Sequence, residues 1–276
     1  MADNTRMAEK ISNKEYRARE GVSSTDLKHM TKSPAHFKWW KEHSEELDTN
    51  SLLIGRAVHK YVLEKDDFFN EFAVAPFVDR RTKEGKAEWL LFQDQSVGKD
   101  IITQEDFEKI QAMYDALYAT PFVAKLLSGE KELSFFTEDD RTGLTVKCRP
   151  DCLTEIGEAN ILIDYKSCTD ASSDGFMKDA IKLNYDLQMA YYKDIVDEVL
   201  DKEHKVIFIA QEKNPPYLVN ILEANEYFIR SGRDMYRTYL DMYAECLEND
   251  DWYGYTKDGV NTLGLPNWLQ KQYEVQ

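Results

Sequence analysis

The sequence predicts an α+β domain, because a block of strand-like segments lies between two helical stretches. Short apolar runs bounded by turn residues recur between residues 131 and 223, and a helical pattern over 185–200 interrupts them. With 276 residues and no repeats or low-complexity linkers, we predict a single domain over 21–276. A flexible N-terminus is expected before it, over residues 1–20. The domain itself is expected to divide into a helical region, a core, and a C-terminal helix with its tail, at about residues 21–130, 131–223 and 224–276.

The helical region begins with a serine cap and continues into an apolar helix. Ser23 or Ser24 can cap the first helix. The segment 52–59 predicts another helix, on which Gly55 and His59 lie four residues apart on one face. Glycine there would let a neighbouring backbone approach closely. A histidine on an apolar helix is more often a core residue than a ligand, so both interpretations stay open at this point.

A basic segment follows a short predicted strand at residues 72–76. Its cations are Arg80, Arg81, Lys83 and Lys86. They are expected either to line a substrate channel in a loop or to form a solvated surface. Thr103 and Asp106 then match a capping box for a helix that reaches about residue 119.

The core is predicted to start with two strands. The first covers residues 131–137 and carries Glu132 at its beginning, and the second covers residues 144–148. Pro150 cannot donate to a sheet ladder, so the second strand should end at the segment Arg149–Asp151. Taken alone, that segment is better explained as a surface ion pair.

The most informative segment is the apolar run 161–166, which ends in Asp-x-Lys. In a strand, Asp164 and Lys166 point to one face and Tyr165 points to the other. A polar turn precedes this run, so a hairpin should set Asp151 beside Asp164. Two close carboxylates repel each other unless a proton or a hard divalent cation lies between them. The tripeptide alone is more often an ion pair at a strand end, and only its context favours a metal site.

A predicted helix over residues 185–200 carries Gln188 and Tyr192 on one face, four residues apart. They can present an amide and a phenol to one spot, although a core tyrosine beside a solvated glutamine is the commoner arrangement. Two strands and a long helix complete the chain, at residues 206–210, 217–221 and 225–248.

The net charge of −16 opposes a nucleic-acid-binding function, which usually draws on a basic surface. The acidic residues cluster, however, and can form solvated faces away from a cleft. The clusters lie at residues 42–48, 138–140 and 245–251. The charge therefore argues against tight non-specific binding without excluding a locally basic channel.

The chain carries no zinc-binding cysteine spacing and no signal core. Its four cysteines are Cys148, Cys152, Cys168 and Cys246. The first residues are polar, and no apolar run approaches the ~18 residues that a membrane span needs. We therefore expect a cytoplasmic protein with reduced thiols.

In chain order, the singled-out residues are Gly55 and His59, Glu132, Asp151, Asp164 and Lys166, and Gln188 and Tyr192. This order resembles the PD-(D/E)XK nuclease superfamily in its RecB-like branch. Three further segments are similar to the phage-type exonuclease VIII (RecE) nuclease domain: Ser23–Lys28, Ser33–Phe37 and Arg81–Lys86. The resemblance spans roughly residues 20–250. It implies a restriction-endonuclease-like core, in which helices flank a mixed central sheet, with an N-terminal helical elaboration.

The resemblance implies a divalent-metal site. Asp151 and Asp164 would share the ion, with the backbone carbonyl of Tyr165 adding an oxygen, and His59 and Glu132 would complete the coordination. Magnesium is expected and manganese should substitute, because carboxylate, carbonyl and water oxygens suit both ions. Some RecB-like nucleases hold an iron–sulfur cluster with one early and three late cysteines, a pattern that this chain lacks, so no cluster is expected.

The remaining site residues receive roles in catalysis and DNA binding. Lys166 would activate the attacking water, and Gln188 with Tyr192 would hold that water or the scissile strand. DNA contacts are expected from Ser23, from Arg149 and from the four cations of the basic segment.

As a whole, the resemblance implies a 5′-to-3′ exonuclease that degrades one strand of double-stranded DNA and leaves 3′ tails for recombination. The expected partners are DNA ends and a single-strand annealing protein, in a bacterial or phage-infected cell, and a ring-shaped homo-oligomer is expected. The alternatives are a structure-specific or single-strand nuclease of the same superfamily, or a non-catalytic module that binds DNA ends.

Overall fold

The structure, a computed structural model, describes residues 6–43, 49–256 and 259–274. The first part of the chain is mainly helical. Its elements are β1 (Met7–Glu9), α1 (Asn13–Ala18), α2 (Ser24–Met30), α3 (Pro34–His43), α4 (Asn50–Leu63), α5 (Phe68–Glu71), β2 (Phe72–Val74), α6 (Lys83–Gln95), β3 (Asp100–Ile102), α7 (Gln104–Tyr118) and α8 (Pro121–Leu126). The second part holds β4 (Glu130–Lys131), β5 (Ser134–Glu138), β6 (Thr145–Cys148), β7 (Cys152–Ile156), β8 (Ala159–Cys168), α9 (Ser173–Lys182), α10 (Tyr185–Leu200), β9 (His204–Glu212), β10 (Val219–Glu223), α11 (Glu226–Asn249) and α12 (Asn267–Glu274).

A five-stranded mixed sheet carries the core, in the order β10-β9-β8-β7-β4. Strands β8 and β9 run parallel, and the other neighbours run antiparallel. Helices α9 and α10 connect the parallel pair, as a parallel crossover requires. The predicted α+β class is confirmed.

Side chains of β8 and β9 alternate between two buried layers. Leu162 and Phe208 pack with residues of α9, α10 and α11 on one face of the sheet. Ile163 and Ile209 pack with residues of α4, α7 and α8 on the other. The two-residue period of a strand therefore decides which helices each side chain meets, and the sheet is buried on both faces.

The predicted single strand over 131–137 is wrong, because the chain bends at Glu132. This residue has a φ of 55°, in the left-handed region that few non-glycine residues adopt. Before it, β4 pairs with β7 in the central sheet; after it, β5 pairs with β1 and β6 in a three-stranded sheet. The Glu132 N–H donates to the carbonyl of Asp151 at 3.2 Å. The bend thus brings Glu132 to the start of β7.

Residues 6–20, which we expected to be loose, contain a strand and a capped helix. Strand β1 pairs antiparallel with β5. The Ser12 side chain accepts a hydrogen bond from the N–H of Glu15, and the Glu15 carboxylate accepts one from the N–H of Ser12. Residues 1–5 of the same segment lie outside the described residues.

Helices α10 and α11 pack closely against each other. A Cβ atom at Gly232 of α11 would lie 1.9 Å from the backbone oxygen of Asp186, so only glycine allows this approach. The helices predicted over 185–200 and 225–248 are confirmed, the second displaced by one residue. In the described ranges, no helix has both the length and the apolar character that a membrane crossing requires.

Candidate active site

Strands β7 and β8 form an antiparallel hairpin that sets two aspartates across from each other. Cys152 faces Ile163 in the register, so Asp151, one residue before β7, lies opposite Asp164. The backbone N–H of Tyr165 donates to Oδ2 of Asp151 at 2.6 Å and fixes that carboxylate against the strand. The hairpin that the sequence predicts is confirmed.

Asp164 and Lys166 form a buried ion pair on one face of β8. The Lys166 ammonium lies 2.6 Å from Oδ2 and 2.8 Å from Oδ1 of Asp164, and its hydrogen bond goes to Oδ1. Burial raises the pKa of Asp164 above its ordinary value, and the charge of Asp151 adds to this effect against that of Lys166. Burial lowers the pKa of Lys166, but the charges of Asp164 and Asp151 outweigh it and raise that pKa. Lys166 is therefore a charged ammonium beside the two buried carboxylates of Asp151 and Asp164.

His59 of α4 lies between two carboxylates from the core. Its Nε2 atom is 3.0 Å from Oδ1 of Asp151, and its Nδ1 atom is 3.6 Å from Oε1 of Glu132. Burial lowers the pKa of His59, but the charges of Asp151 and Glu132 and the hydrogen bond to Asp151 raise it to about 9. Burial raises the pKa of Asp151, but the charge of His59 and its hydrogen bond outweigh that effect and lower it. The three side chains place one potential ligand atom each within 4.8 Å of one another.

Arg149, which we expected to contact DNA, lies against Glu132. Its side chain is only 8% exposed, and its Nε atom donates to Oε2 of Glu132 at 2.5 Å. The Nη1 atom is buried and donates no hydrogen bond to any described residue. The guanidinium also lies 5.9 Å from the ring centroid of Tyr16. In this structure Arg149 positions Glu132.

Helix α10 brings Gln188 and Tyr192 towards the same site. The Gln188 side-chain Nε2 donates to Oδ1 of Asp164 at 3.4 Å. Burial raises the pKa of Tyr192, whose phenol forms a side-chain hydrogen bond with Ser24. Gln188 therefore reaches the central carboxylate, whereas Tyr192 is held by α2.

Lys28 and Tyr185 also belong to the site, although neither was among the predicted site residues. The Lys28 ammonium donates to Oε1 of Gln188 at 2.8 Å and lies 4.9 Å from the ring centroid of Tyr185. The Lys166 ammonium lies 5.0 Å from the same centroid. Burial, followed by the charge of Lys166, lowers the pKa of Lys28 to about 7. Lys28 ends the segment Ser23–Lys28 that the resemblance covers, but its contact with Gln188 depends on the packing of α2 against α10.

Two other expectations concern residues with local structural roles. The Ser23 hydroxyl donates to Oδ2 of Asp26 at 2.6 Å and accepts from the N–H of Asp26 at 3.3 Å, so Ser23 caps α2. A Cβ atom at Gly55 would meet no atom of the described residues within 4 Å. The expectation that Gly55 permits a close backbone approach is wrong, since the face of α4 at this point is open.

The basic cluster (Arg80, Arg81, Lys83 and Lys86) lies at the start of α6. The Arg80 guanidinium lies 4.3 Å from the ring centroid of Trp89, and Arg81 forms an ion pair with Asp79 at 3.0 Å. The Thr82 hydroxyl accepts from a backbone N–H of the first turn, so both lysines are helical rather than in the predicted loop. Over residues 6–43, 49–256 and 259–274, no ion pair or side-chain hydrogen bond joins this cluster to the aspartates of the site.

The donor set fits a divalent cation. Asp164 is fully buried, and its Oδ2 atom, 2.6 Å from the Lys166 ammonium, has no further hydrogen-bond donor among the described residues. Burial raises the pKa of Glu132 too, with the charge of Asp151 contributing, so extra positive charge would stabilise this cluster. Carboxylate oxygens suit magnesium and manganese, and an imidazole favours the transition metals.

The chain is similar to one known domain family and to solved structures. The sequence model of the family described as "PDDEXK-like domain of unknown function (DUF3799)" matches residues 23–258. The crystal structure of a candidate exonuclease from Eubacterium rectale is 15% identical, with a TM-score of 0.62, and the match covers 94% of this chain and 97% of that one. The structure of SSO0001 is 14% identical, with a TM-score of 0.37, over 82% and 81% of the two chains. No curated protein matches the sequence.

Proposed function

Because the chain belongs to the PDDEXK-like DUF3799 family and has the PD-(D/E)XK fold, we propose that it is a nuclease that depends on a divalent metal ion. One observation carries this proposal: the hairpin holds Asp151 across from Asp164, and Lys166 projects from the same strand face as Asp164. Two carboxylates and an ammonium in this arrangement are the groups that metal-assisted hydrolysis of a phosphodiester requires.

Asp151 and Asp164 would hold the ion together, with Glu132 and His59 and the backbone carbonyl of Tyr165 as further donors. When bound, the ion supplies Lewis-acid chemistry at the scissile phosphate and lowers the pKa of a bound water. Magnesium is the expected ion, with manganese as a substitute. Asp151 is oriented for this task by the Tyr165 N–H, and Glu132 by Arg149.

Lys166 would orient the attacking water and stabilise the negative charge that develops on the phosphate. Its ammonium is held in place by Asp164 and covered by the Tyr185 ring. A fixed cation at the point where charge develops needs no reorganisation during the reaction. Gln188 would hold the water or the scissile strand through its amide, while Tyr192, hydrogen-bonded to Ser24, would support the position of α10.

In finer detail, the proposed activity is a 5′-to-3′ exonuclease on double-stranded DNA that leaves 3′ tails for strand annealing. The resemblance to exonuclease VIII supports this choice, and the fold shared with the candidate exonuclease from Eubacterium rectale is consistent with exonuclease activity of either polarity. The proposed partners are DNA ends and a single-strand annealing protein. A ring-shaped homo-oligomer in the cytoplasm would retain DNA by enclosing it, which compensates for the net charge of −16.

End-labelled DNA tests this function. Linear duplexes labelled separately at the 5′ and 3′ ends, and a covalently closed circle, would be incubated with the protein and magnesium, with EDTA and the Asp164→Asn variant as controls. The proposal expects release from the 5′ ends first and an intact circle.

The outcomes separate the alternatives. Cutting of the circle, of branched DNA or of single strands alone would indicate the structure-specific or single-strand nuclease. Binding of DNA ends without metal-dependent cleavage would indicate a non-catalytic module. Light scattering coupled to gel filtration tests the oligomer independently of activity.

A further inference from the structure

Lys28 of α2 is a largely buried cation without a carboxylate partner. Its ammonium donates one hydrogen bond, to Oε1 of Gln188, and lies over the Tyr185 ring. An ammonium has three protons to donate. Within the part of the chain that the structure describes, the other two have no acceptor and the side chain forms no ion pair. The feature to explain is therefore a largely buried lysine amine with two unused donor positions beside the residues of the candidate site.

A second ammonium lies close to the first. Lys28 and Lys166 are each about 5 Å from the centroid of the Tyr185 ring, so their nitrogens are at most about 10 Å apart. The charge of Lys166 disfavours a charged Lys28, and so does burial. The carboxylates of Asp164 and Asp186 act in the opposite sense but do not outweigh these two effects, and Asp164 is itself paired with Lys166. An anion bound beside Lys28 would offset the remaining free-energy cost of a charged ammonium at this position.

We propose that Lys28 binds a backbone phosphate of the DNA strand in the active site, next to the phosphate on which Lys166 acts. The proposal rests on the proposed function, because it assigns a ligand to the same site. Gln188 links Lys28 to Asp164, because its Oε1 accepts from Lys28 and its Nε2 donates to Asp164 at 3.4 Å. The phosphate contact is thus set at a fixed position relative to the metal-binding carboxylate.

A purely structural role explains the position of Lys28 less well. An ammonium that only stabilises a fold is expected to pair with a carboxylate, because burial of an unpaired charge is costly. A buried lysine without a carboxylate partner, beside catalytic groups and with two unused donor positions, is typical of a ligand-binding residue. Orientation of Gln188 alone would need only a neutral donor.

The test measures the salt dependence of DNA binding. Duplex affinity would be determined by fluorescence anisotropy in EDTA, between 50 and 300 mM KCl, for the wild type and for Lys28→Gln, Lys28→Met and Lys28→Arg. Lys32→Gln is the matched control, since Lys32 is exposed and close to the end of α2. Each lost phosphate contact lowers the magnitude of the log–log salt slope by about 0.7–0.9. That reduction is expected in the two neutral variants and in neither Lys28→Arg nor Lys32→Gln.

The other outcomes overturn the proposal in distinguishable ways. If the wild type binds and cleaves DNA but Lys28→Gln keeps the full slope, Lys28 is not a phosphate contact, although the proposed function stands. Slower cleavage at an unchanged slope would show that Lys28 only orients Gln188. If the wild type neither binds nor cleaves DNA, both proposals fail together. If Lys28→Met has a lower melting temperature than the wild type, the salt slope of Lys28→Gln is used instead, because glutamine keeps a polar group near Gln188.

Discussion

The Nε2 atom of His59 lies 3.0 Å from Oδ1 of Asp151, and this contact joins the N-terminal helical region to the catalytic core. His59 comes from α4, whereas Asp151 precedes β7 of the central sheet. The core hairpin therefore supplies the two aspartates, and the helical region completes the donor set. Removal of the helical region would leave the aspartates without their imidazole.

The metal-free protein should release close to one proton from His59 when a divalent ion binds. Asp151 and Glu132 raise the pKa of His59 to about 9, so the imidazole is charged at pH 7.5, whereas a ligand imidazole must be neutral. Manganese affinity should accordingly rise with pH up to about 9. Calorimetry at pH 7.5 in buffers of different ionisation enthalpy measures the proton count, and His59→Asn is the control. A count near zero in the wild type would remove His59 from the ligand set.

The raised pKa of His59 also determines how the free energy of unfolding changes with pH. Without metal, the folded pKa of His59 lies above its unfolded value of about 6.5. Its contribution to the free energy of unfolding is therefore fully present below pH 6.5 and is lost as pH rises through about 9. Urea titrations at pH 6, 7.5 and 9 should show this loss in the wild type, whereas a variant without the imidazole should lack that component.

Asp164→Asn and Lys166→Met should each lower the cleavage rate by ~10²-fold or more, because each removes a charge that the chemistry needs. The two charges lie within 2.8 Å of each other in a buried pair, so removal of one leaves the other buried without its partner. The double variant should therefore be at least as stable as either single variant. Initial rates with magnesium and urea-unfolding curves measure the two effects. Near-wild-type turnover in a folded single variant would contradict the assigned site.

Local patterns in the sequence were sufficient for the part of the site that is built within one strand or one helix. The two-residue period of β8 predicted that Asp164 and Lys166 share a face, and the four-residue spacing on α10 predicted the same for Gln188 and Tyr192. The turn before β8 predicted the hairpin. Each depends on neighbours in the chain, which a sequence displays directly.

Contacts between distant segments could not be predicted in the same way. Lys28 meets Gln188 across 160 positions of sequence, and the resemblance of the segment Ser23–Lys28 does not show which residue its ammonium contacts. The left-handed backbone of Glu132 interrupts what reads as one strand. The sequence predicted a DNA contact for Arg149, because its burial depends on Tyr16 and Glu132, which reach it only in the folded protein.

Arg149→Met should lower the free energy of unfolding by about 3 kcal/mol, because it leaves Glu132 buried without its partner. It should also weaken metal binding, since Glu132 loses the donor that orients it. Chemical denaturation and manganese calorimetry measure these effects, and Arg149→Lys retains the charge as a control. A DNA contact predicts the opposite: a smaller salt slope of binding at unchanged stability. That result would restore the role first expected for Arg149.

Within the basic cluster, the two lysines should contribute more to DNA binding than the two arginines. Arg81 is paired with Asp79, and Arg80 lies over Trp89, whereas the side chains of Lys83 and Lys86 form no ion pair with any described residue. Replacing both lysines with glutamine should lower the magnitude of the salt slope by up to about 1.8, since each could neutralise one phosphate. Replacing both arginines should lower it less, because Arg81 is already paired with Asp79 and Arg80 already lies against Trp89.

Both double variants of the basic cluster would be measured by anisotropy over the same KCl series, with cleavage of a short duplex at saturating protein as the control for chemistry. Equal and negligible changes in the two variants would make the cluster a solvated surface, and a larger effect of the arginine pair would reverse the assignment.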